Sequence, residues 1–189
     1  MIDPRKIGFD IDGVVANTMQ LFLDILFNVY GINHITLDDI TRYELEACLD
    51  VDPRIIAAIS KSINEGSYTA RLEPMDGAAR VIERLSAYGP IRLVTARPFP
   101  GPIVPWVEEV FPTGGGPVQI TATGGFDSKA DVLKAENIDY FVEDRLETCF
   151  LLQNHDITPI LFVQPWNRRH HPFQEVAHWE QLEELIDWE

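Results

Sequence analysis

The sequence predicts an α/β fold: a doubly wound parallel sheet of about five strands, with a small helical block inserted after the first strand. Short runs that are apolar on both faces recur along the chain, and each is followed by a segment with helical periodicity. This alternation is typical of a parallel sheet that helices cover on both sides. The length of 189 residues suits one such domain with a modest insertion.

The individual elements follow from these runs and from turn signals. Strands are expected at residues 6–11, 91–95, 118–122, 140–143 and 159–163. Between them, helices are expected at 77–88 after the cap residue Asp76, at 129–137 after Ser128, and at 145–155. The periodicity of residues 173–188 predicts a terminal amphipathic helix.

Residues 15–75 interrupt this rhythm because they contain no convincing strand. Three helices are expected there, at residues 15–31, at 36–49 and at 52–66, the last with Asp52 as its cap and Pro53 at its first position. The block is too long for a simple crossover between strands. We therefore expect a helical cap subdomain at 15–75 on a core domain formed by residues 1–14 and 76–189.

The composition excludes several classes of partner. A net charge of −15 disfavours broad contact with the phosphate backbone of a nucleic acid and with an anionic membrane surface. The N-terminus lacks the apolar core of a signal peptide, and the chain has no apolar run long enough to span a membrane. Its two cysteines lack metal-ligand spacing, which favours reduced thiols. A cytoplasmic protein is expected.

Chemistry-bearing side chains follow the predicted strands. Ligands of parallel sheets bind outside the carboxyl ends of the strands. The residues expected at that edge are Asp10, Asp12, Thr95, Arg97, Lys129, Glu143, Asp144 and Arg145. A single acid at a strand end is usually a helix cap or a solvated turn. Four separate segments that bring such residues to one edge are harder to explain in this way, and they indicate a site.

The paired acids predict the kind of ion that the site binds. Alternation places Asp10 and Asp12 on the same side of an extended segment. With Glu143 and Asp144 nearby, these carboxylates repel one another, and a divalent cation relieves the repulsion. Oxygen ligands without histidine or cysteine favour Mg²⁺ over zinc. Since Mg²⁺ also binds substrate phosphates, a phosphoryl group is the expected further ligand.

Lys129 adds a second indication of an anion. A cation in the first turn of a helix opposes the helix dipole, so its presence there makes sense if it faces an anion that also uses the helix N-terminus. The alternative is an ion pair with Asp131 or Glu143, and the sequence leaves both possibilities open. Thr95 is similar, because its hydroxyl either caps the next turn or donates to a phosphate oxygen.

These segments resemble the motifs of the haloacid dehalogenase superfamily, in its phosphatase branch. The resemblance rests on "FDIDGV" for the nucleophile motif, "LVTAR" for the threonine motif, Lys129 for the lysine motif and "FVEDR" for the acidic motif. The four occur in the expected order between residue 6 and about residue 163. The resemblance implies a Rossmann-like doubly wound core with a helical cap after the first strand, in agreement with the pattern described above.

The resemblance also assigns roles to the matching positions. Asp10 would be the nucleophile that forms an aspartyl-phosphate, and Asp12 the acid that protonates the leaving oxygen and later activates water. Thr95 and Lys129 would hold the phosphoryl oxygens. Mg²⁺ would take a carboxylate oxygen of Asp10, the backbone carbonyl of Asp12 and Asp144. Glu143 would be an outer or water-mediated partner of the metal.

Within the superfamily, the chain looks most like bacterial relatives of the 5′(3′)-deoxyribonucleotidases. The segments "DIDGVVAN", "VEDR" and "QPWNRR" carry this likeness. The implied function is a phosphomonoester hydrolase with a nucleoside monophosphate as the first candidate substrate; another small phosphorylated metabolite is the alternative. Arg97, Trp166 and Arg168 are the expected substrate-binding residues. The last two belong to the basic segment 165–171, which is either a loop at the rim of the site or an ordinary surface loop.

Two other classes remain as alternatives. A phospho-accepting signalling domain also carries acids, threonine and lysine at strand ends, but its phosphorylated aspartate ends a middle strand and no large insertion follows the first. A non-catalytic binding protein on the same fold is the other alternative. It has no need of the charge repulsion among Asp10, Asp12 and Asp144, so an enzyme is the favoured prediction.

Overall fold

A computed structural model, which describes residues 1–112 and 114–189, contains one sheet of six strands. The strands are β1 (Ile7–Phe9), β2 (Ile91–Thr95), β3 (Val118–Ala122), β4 (Tyr140–Glu143), β5 (Thr158–Phe162) and β6 (Gln174–Val176). Their order is β3-β2-β1-β4-β5-β6, and every neighbouring pair is parallel. The α/β class is confirmed, with six strands rather than about five.

Helices cover both faces of this sheet, as a doubly wound fold requires. The described helices are α1 (Thr18–Tyr30), α2 (Pro53–Asn64), α3 (Ala78–Ser86), α4 (Val104–Val110), α5 (Lys129–Ala135), α6 (Leu146–Gln153) and α7 (Trp179–Leu185). Val94 and Phe141 belong to the core beneath α5 and α6, whereas Leu93 and Val142 belong to the core on the other face, with α3 and α7. Successive strand residues therefore fill opposite cores.

The sixth strand lies inside the segment that the sequence assigns to a terminal helix. Residues 174–176 form β6 and pair with β5, and α7 begins only at Trp179. The prediction of a helix over 173–178 is therefore wrong. Only Val176 of the three strand residues is buried, so the strand is too short and too exposed to produce a recognisable alternation. Its pairing with β5 decides the conformation.

The block between β1 and α3 is helical, with α1 and α2 in contact. The helix expected at 36–49 is wrong, because only two 3₁₀ turns form there, at Leu37–Asp39 and Leu45–Ala47. Asp52 caps α2 as expected, since its carboxylate accepts a hydrogen bond from the Arg54 backbone N–H at 2.9 Å. The division into a cap at 15–75 and a core stays a prediction.

Two other expected helix caps do not form. Asp76 is not the cap of α3, because Gly77 takes that position with a φ of +80°. Ser128 precedes α5 as expected, but its side chain makes no capping hydrogen bond. Both helices are held by burial of an apolar face, which contributes more to helix stability in a folded protein than one cap does.

The last helix is tied to the loop that follows the first strand. The Trp179 indole N–H donates to the backbone carbonyl of Val14 at 2.9 Å. The same ring is fully buried and packs against Phe9 and Phe162, with ring centroids 5.3 and 6.5 Å away. The contact fixes the backbone next to the carboxyl end of β1.

Among the described residues, no helix is long and apolar enough to cross a lipid bilayer.

Candidate active site

The candidate site lies at the carboxyl ends of β1, β2 and β4. β1 is central, with β2 on one side and β4 on the other, so the strand order reverses beside it. Doubly wound sheets bind ligands at such a reversal. Asp10 is buried directly after β1, and the chain then turns at Gly13, whose φ is +80°. The fold thus directs the paired acids toward the ends of β2 and β4.

Asp10 lies beside a buried lysine. The Lys129 Nζ is 2.9 Å from Asp10 Oδ1 and 2.7 Å from Glu143 Oε2, and all three residues are buried. Burial alone would lower the pKa of Lys129, but the two carboxylates raise it above its ordinary value and keep the amine charged. The pairing with Glu143, which the sequence leaves open as the alternative, is present, together with a contact to Asp10 that places the charge next to the expected nucleophile.

Glu143 is held from several sides. Its Oε2 accepts from Lys129, and its Oε1 accepts the backbone N–H groups of Asp144 at 3.2 Å and Arg145 at 3.0 Å. These bonds order the turn after β4 that presents Asp144. The arrangement favours an outer role for Glu143, as a partner of Lys129 and of the turn.

Asp12 is held by an arginine from the end of β2. Arg97 donates from Nε to Asp12 Oδ2 at 2.9 Å and from Nη2 to Oδ1 at 2.6 Å. The Thr18 hydroxyl donates to Oδ1 at 2.6 Å, and the Thr95 hydroxyl lies 3.5 Å from Oδ2. Burial raises the pKa of Asp12, but Arg97 and Thr18 more than offset this and hold it below its ordinary value.

The acids at the edge fit a divalent cation. Asp10, Glu143 and Asp144 each offer a carboxylate oxygen, and these three oxygens lie within 4.8 Å of one another. Asp144 Oδ1 is buried and has no hydrogen-bond partner among the described residues. Burial, together with the charges of Glu143 and Asp10, holds the pKa of Asp144 well above its ordinary value.

The charges of the site also favour a divalent cation. Burial raises the pKa of the Asp10 carboxyl, and although Lys129 opposes this, the charges of Glu143 and Asp12 add to the rise. The four carboxylates of the site face two close cations, Lys129 and Arg97. The excess negative charge and the unpaired oxygen of Asp144 suit a hard ion with oxygen ligands.

A cavity of about 380 Å³ opens above these residues. Its sheet side includes Asp10, Asp12, Thr95, Arg97, Asp144 and Trp166. The helical insertion forms the opposite wall, which is half apolar and half polar. Its apolar side chains are Met19, Phe22, Leu45, Ile56 and Ile63, and its polar side chains are Thr18, Tyr43, Glu46, Ser60 and Asn64. A volume of this size is typical of sites for small molecules.

The basic loop after β5 contributes unequally to the site. Trp166 is buried and lines the cavity, and its indole N–H donates to Asp144 Oδ2 at 2.9 Å. Arg168 is exposed and does not line the cavity. The expected contacts of both residues, and of Arg97, with a substrate stay predictions. Lys129 is buried below the cavity wall rather than in it.

Arg145 belongs to a contact between the insertion and the core. Its guanidinium lies over the Phe126 ring at 4.2 Å and over the Tyr43 ring at 5.2 Å. The two rings meet edge to face, with centroids 5.7 Å apart, and Arg145 also reaches Glu44 at 3.8 Å. Tyr43 and Phe126 both line the cavity. The group joins the two sides of the cavity at its rim.

Several polar residues of the site are not among those expected from the sequence. Thr18 falls inside the helix expected at 15–31, whereas in the structure it begins α1 and its hydroxyl donates to Asp12. Gln164 donates to the Gly13 carbonyl at 2.7 Å, and Asn167 donates to the Asp144 carbonyl at 2.7 Å. Two signals point to Gln164 and Asn167: they belong to the segment "QPWNRR", and their side-chain amides stand just after a predicted strand, at the edge where ligands bind.

Comparison with known proteins identifies related families and folds. Residues 4–188 match the sequence profile of the family described as "5' nucleotidase, deoxy (Pyrimidine), cytosolic type C protein". No curated protein matches the chain at a significant level.

Solved structures with the same fold include three hydrolases. A haloacid dehalogenase-like family hydrolase from Streptococcus pneumoniae is 13% identical, with a TM-score of 0.63 over 95% of this chain and 97% of its own. A haloacid dehalogenase-superfamily hydrolase from Geobacter sulfurreducens is 13% identical, with a TM-score of 0.57 over 95% and 97%. One from Ehrlichia chaffeensis is 12% identical, with a TM-score of 0.53 over 98% and 97%. At these identities the likeness concerns the fold.

Proposed function

The chain belongs to the cytosolic type C family of 5′-deoxynucleotidases, within the haloacid dehalogenase superfamily, and from this premise we propose its reaction and its substrate class. It is an enzyme of the phosphatase type that acts on a small phosphorylated molecule. We infer that it hydrolyses a phosphomonoester through an aspartyl-phosphate on Asp10, with Mg²⁺ as cofactor. The observation that carries the proposal is the buried Asp10 at the end of β1, beside Lys129 and Asp144 and open to the cavity.

In the first step, a carboxylate oxygen of Asp10 attacks the phosphorus, and the bond between phosphorus and the leaving oxygen breaks. Asp12, which is ionised in the free protein, takes the proton of the monoanionic phosphomonoester and passes it to that oxygen, so the organic part of the substrate leaves as an alcohol. The Asp12 carboxyl is held in one orientation by Arg97 and Thr18. This orientation matters because a proton donor has to lie within hydrogen-bond reach of the leaving oxygen.

In the second step, a water molecule attacks the phosphorus of the aspartyl-phosphate while Asp12 accepts a proton from the water. The bond between phosphorus and Asp10 breaks, and inorganic phosphate and the free carboxylate are restored. Lys129 stays charged between Asp10 and Glu143, where it attracts the phosphoryl oxygens during both steps. Thr95 offers a hydroxyl to the same oxygens.

Asp10 and Asp144 are the residues that would hold Mg²⁺ through their side chains, with the backbone carbonyl of Asp12 as a further ligand. The unpaired oxygen of Asp144 and the excess of carboxylates support this assignment. When bound, Mg²⁺ neutralises negative charge on the phosphoryl group that is transferred. Glu143 acts from outside, because both of its oxygens already accept hydrogen bonds.

The proposed substrate is a nucleoside monophosphate, and the family description supports this choice. The cavity combines a charged floor with a wall of mixed apolar and polar side chains from the insertion, so it suits a molecule with a phosphate at one end and an organic part at the other that carries both apolar surface and hydrogen-bonding groups. We propose that residues 15–75 act as a cap that selects this organic part. The family's description as cytosolic supports a cytoplasmic location.

Metal removal tests the proposal directly. Wild-type protein should hydrolyse at least one member of a panel of nucleoside monophosphates and other small phosphomonoesters with Mg²⁺, and should lose that activity in EDTA, because the charge on the phosphoryl group is then not balanced. Release of inorganic phosphate is the measurement, and added Mg²⁺ should restore it. A protein that is inactive on the whole panel, or equally active in EDTA, would contradict the proposal.

Arg97 gives a narrower test of substrate binding. Arg97 lines the cavity, so Arg97→Gln should raise KM roughly tenfold or more through loss of a charge-assisted contact with the substrate. It should also lower kcat, because Asp12 loses the side chain that orients it. Arg92 lies on β2, five residues before Arg97, but pairs with Glu136 at 3.2 Å, and Arg92→Gln should leave KM unchanged. Steady-state kinetics at saturating Mg²⁺ separate the two constants. A lower kcat with an unchanged KM would leave Arg97 only the role of holding Asp12.

A further inference from the structure

The turn after β5 holds the acids of the site at two points. Residues 164–167 form this turn, and we refer to it as the QPWN turn after its sequence. The Trp166 indole N–H donates to Asp144 Oδ2 at 2.9 Å, and the Asn167 amide donates to the Asp144 backbone carbonyl at 2.7 Å. Gln164 donates to the Gly13 carbonyl at 2.7 Å. One short turn therefore bonds both the Asp144 turn and the loop that carries Asp10 and Asp12.

The turn is itself rigid. Asn167 donates a second bond to the Phe162 carbonyl at 2.8 Å, and its side-chain oxygen accepts the Gln164 backbone N–H at 3.0 Å. Gln164, Trp166 and Asn167 are all buried. A buried side chain with this many bonds cannot change rotamer without losing several of them. The turn therefore gives Asp144 a fixed partner rather than a mobile one.

The fit between the two loops is tight. A Cβ atom at Gly13 would lie 2.3 Å from Asp144 Oδ2 and 3.2 Å from the Trp166 ring. Asp144 Oδ2 is thus enclosed by the indole N–H on one side and the Gly13 backbone on the other. The remaining oxygen, Oδ1, is buried and has no hydrogen-bond partner among the described residues. One carboxylate oxygen of Asp144 is therefore occupied by a hydrogen bond, and the other is not.

We propose that Trp166 is a positioning residue for the metal: its N–H occupies Asp144 Oδ2 and leaves Oδ1 as the oxygen that a divalent cation takes. The inference rests on the proposed function, because it assumes a divalent cation at Asp10 and Asp144. It differs from the sequence-based expectation, in which Trp166 contacts the substrate. Hydrogen bonds that orient a metal ligand commonly contribute 10- to 100-fold in metal affinity.

The test measures Mg²⁺ alone, without substrate. Trp166→Phe should raise the dissociation constant for Mg²⁺ roughly 10- to 100-fold, measured by titration calorimetry and by competition with Mn²⁺ followed by electron paramagnetic resonance. Trp106→Phe is the matched control. The Trp106 indole is equally buried and donates to the Leu72 carbonyl at 2.7 Å, which lies outside the acid cluster. The dissociation constant of the Trp106→Phe variant for Mg²⁺ should stay within twofold of the wild-type value.

A second variant keeps the test decisive if Trp166→Phe does not fold. Site-specific incorporation of 3-benzothienylalanine at position 166 keeps the shape of the indole and replaces only its N–H with sulfur. It should weaken Mg²⁺ binding to the same degree. Mg²⁺ affinity within twofold of wild type in the folded variants would overturn the inference, and so would an equal loss in Trp106→Phe.

These outcomes are distinct from a failure of the proposed function. If wild-type protein binds no Mg²⁺ and hydrolyses no phosphomonoester, both proposals fall together. If wild-type protein is an Mg²⁺-dependent phosphatase and the folded variants bind Mg²⁺ as tightly as it does, only the role of Trp166 is refuted.

Discussion

Asp10→Asn is expected to lower kcat by roughly 10⁴-fold or more, because the amide oxygen that replaces the carboxylate is a poor nucleophile and the covalent step is lost. The fold should survive, since asparagine has nearly the same shape and its oxygen can still face the Lys129 Nζ that lies 2.9 Å from Asp10 Oδ1. Release of phosphate at saturating Mg²⁺ measures the loss, and circular dichroism checks the fold.

Asp50 offers the matched control for this substitution. It is exposed and lies in the insertion, and Asp50→Asn should retain full activity. A direct check on the intermediate uses substrate labelled in its phosphate and quenched with acid during turnover. Wild-type protein should carry label, and Asp10→Asn should carry none. Full activity of Asp10→Asn in a folded protein would refute the covalent step.

Lys129→Met is expected to produce the second large effect, on both stability and catalysis. Lys129 is fully buried between Asp10 and Glu143. Removal of one partner from a buried ion pair leaves charge without compensation and typically costs about 3–5 kcal/mol. The free energy of unfolding, measured by urea denaturation without metal, should fall by this amount. The activity should fall too, because the phosphoryl oxygens lose a nearby cation.

Lys134→Met separates this effect from a general effect of the substitution on α5. Lys134 lies on the same helix and is exposed, so its replacement should change the free energy of unfolding by less than about 0.5 kcal/mol. If Lys129→Met unfolds with the same free energy as wild type, the buried ion pair does not contribute in the way the structure indicates.

Much of the sheet could be predicted from the sequence because four of its strands, β1, β2, β4 and β5, are largely buried on both faces. The edge strand β3 is partly exposed and is predicted from its β-branched residues instead. The predicted bounds of β2, β3 and β4 coincide with the structure, and β5 is shifted by one residue. A strand that is covered on both sides reads as an uninterrupted apolar run. The sequence does not predict the strand at 174–176 for the opposite reason, since two of its three residues are exposed.

The sequence predicts that the insertion is helical, but it does not predict all of its helices correctly. Its helices at 18–30 and 53–64 follow the expected pattern, whereas residues 36–49 form two short turns. Thr36 and Asp39 do form the expected capping box. A capping box stabilises a first turn, but the helix continues only where an apolar face has a partner. The residues of the 3₁₀ turns bury no side chain completely.

The sequence predicts that the site residues lie close together, because each of them follows the end of a strand. It does not predict which of their side chains bond to one another. Strand ends bring Asp10, Asp12 and Asp144 to one edge whatever their rotamers are. The fork of Arg97 on Asp12 and the bond from Trp166 to Asp144 depend on side-chain direction and on loops that approach from distant parts of the sequence. Periodicity carries no information about either.

The sequence separation of the contacts around Gly13 and Val14 has a consequence for biosynthesis. The Gly13 carbonyl accepts from Gln164, which is 151 positions away, and the Val14 carbonyl accepts from Trp179, which is 165 positions away. During translation, the loop that carries Asp10 and Asp12 leaves the ribosome long before Gln164 and Trp179 do. Contacts between residues so far apart in the sequence form late in folding. The nascent chain therefore carries its acids in water, and catalytic competence appears only when the QPWN turn and α7 have been made.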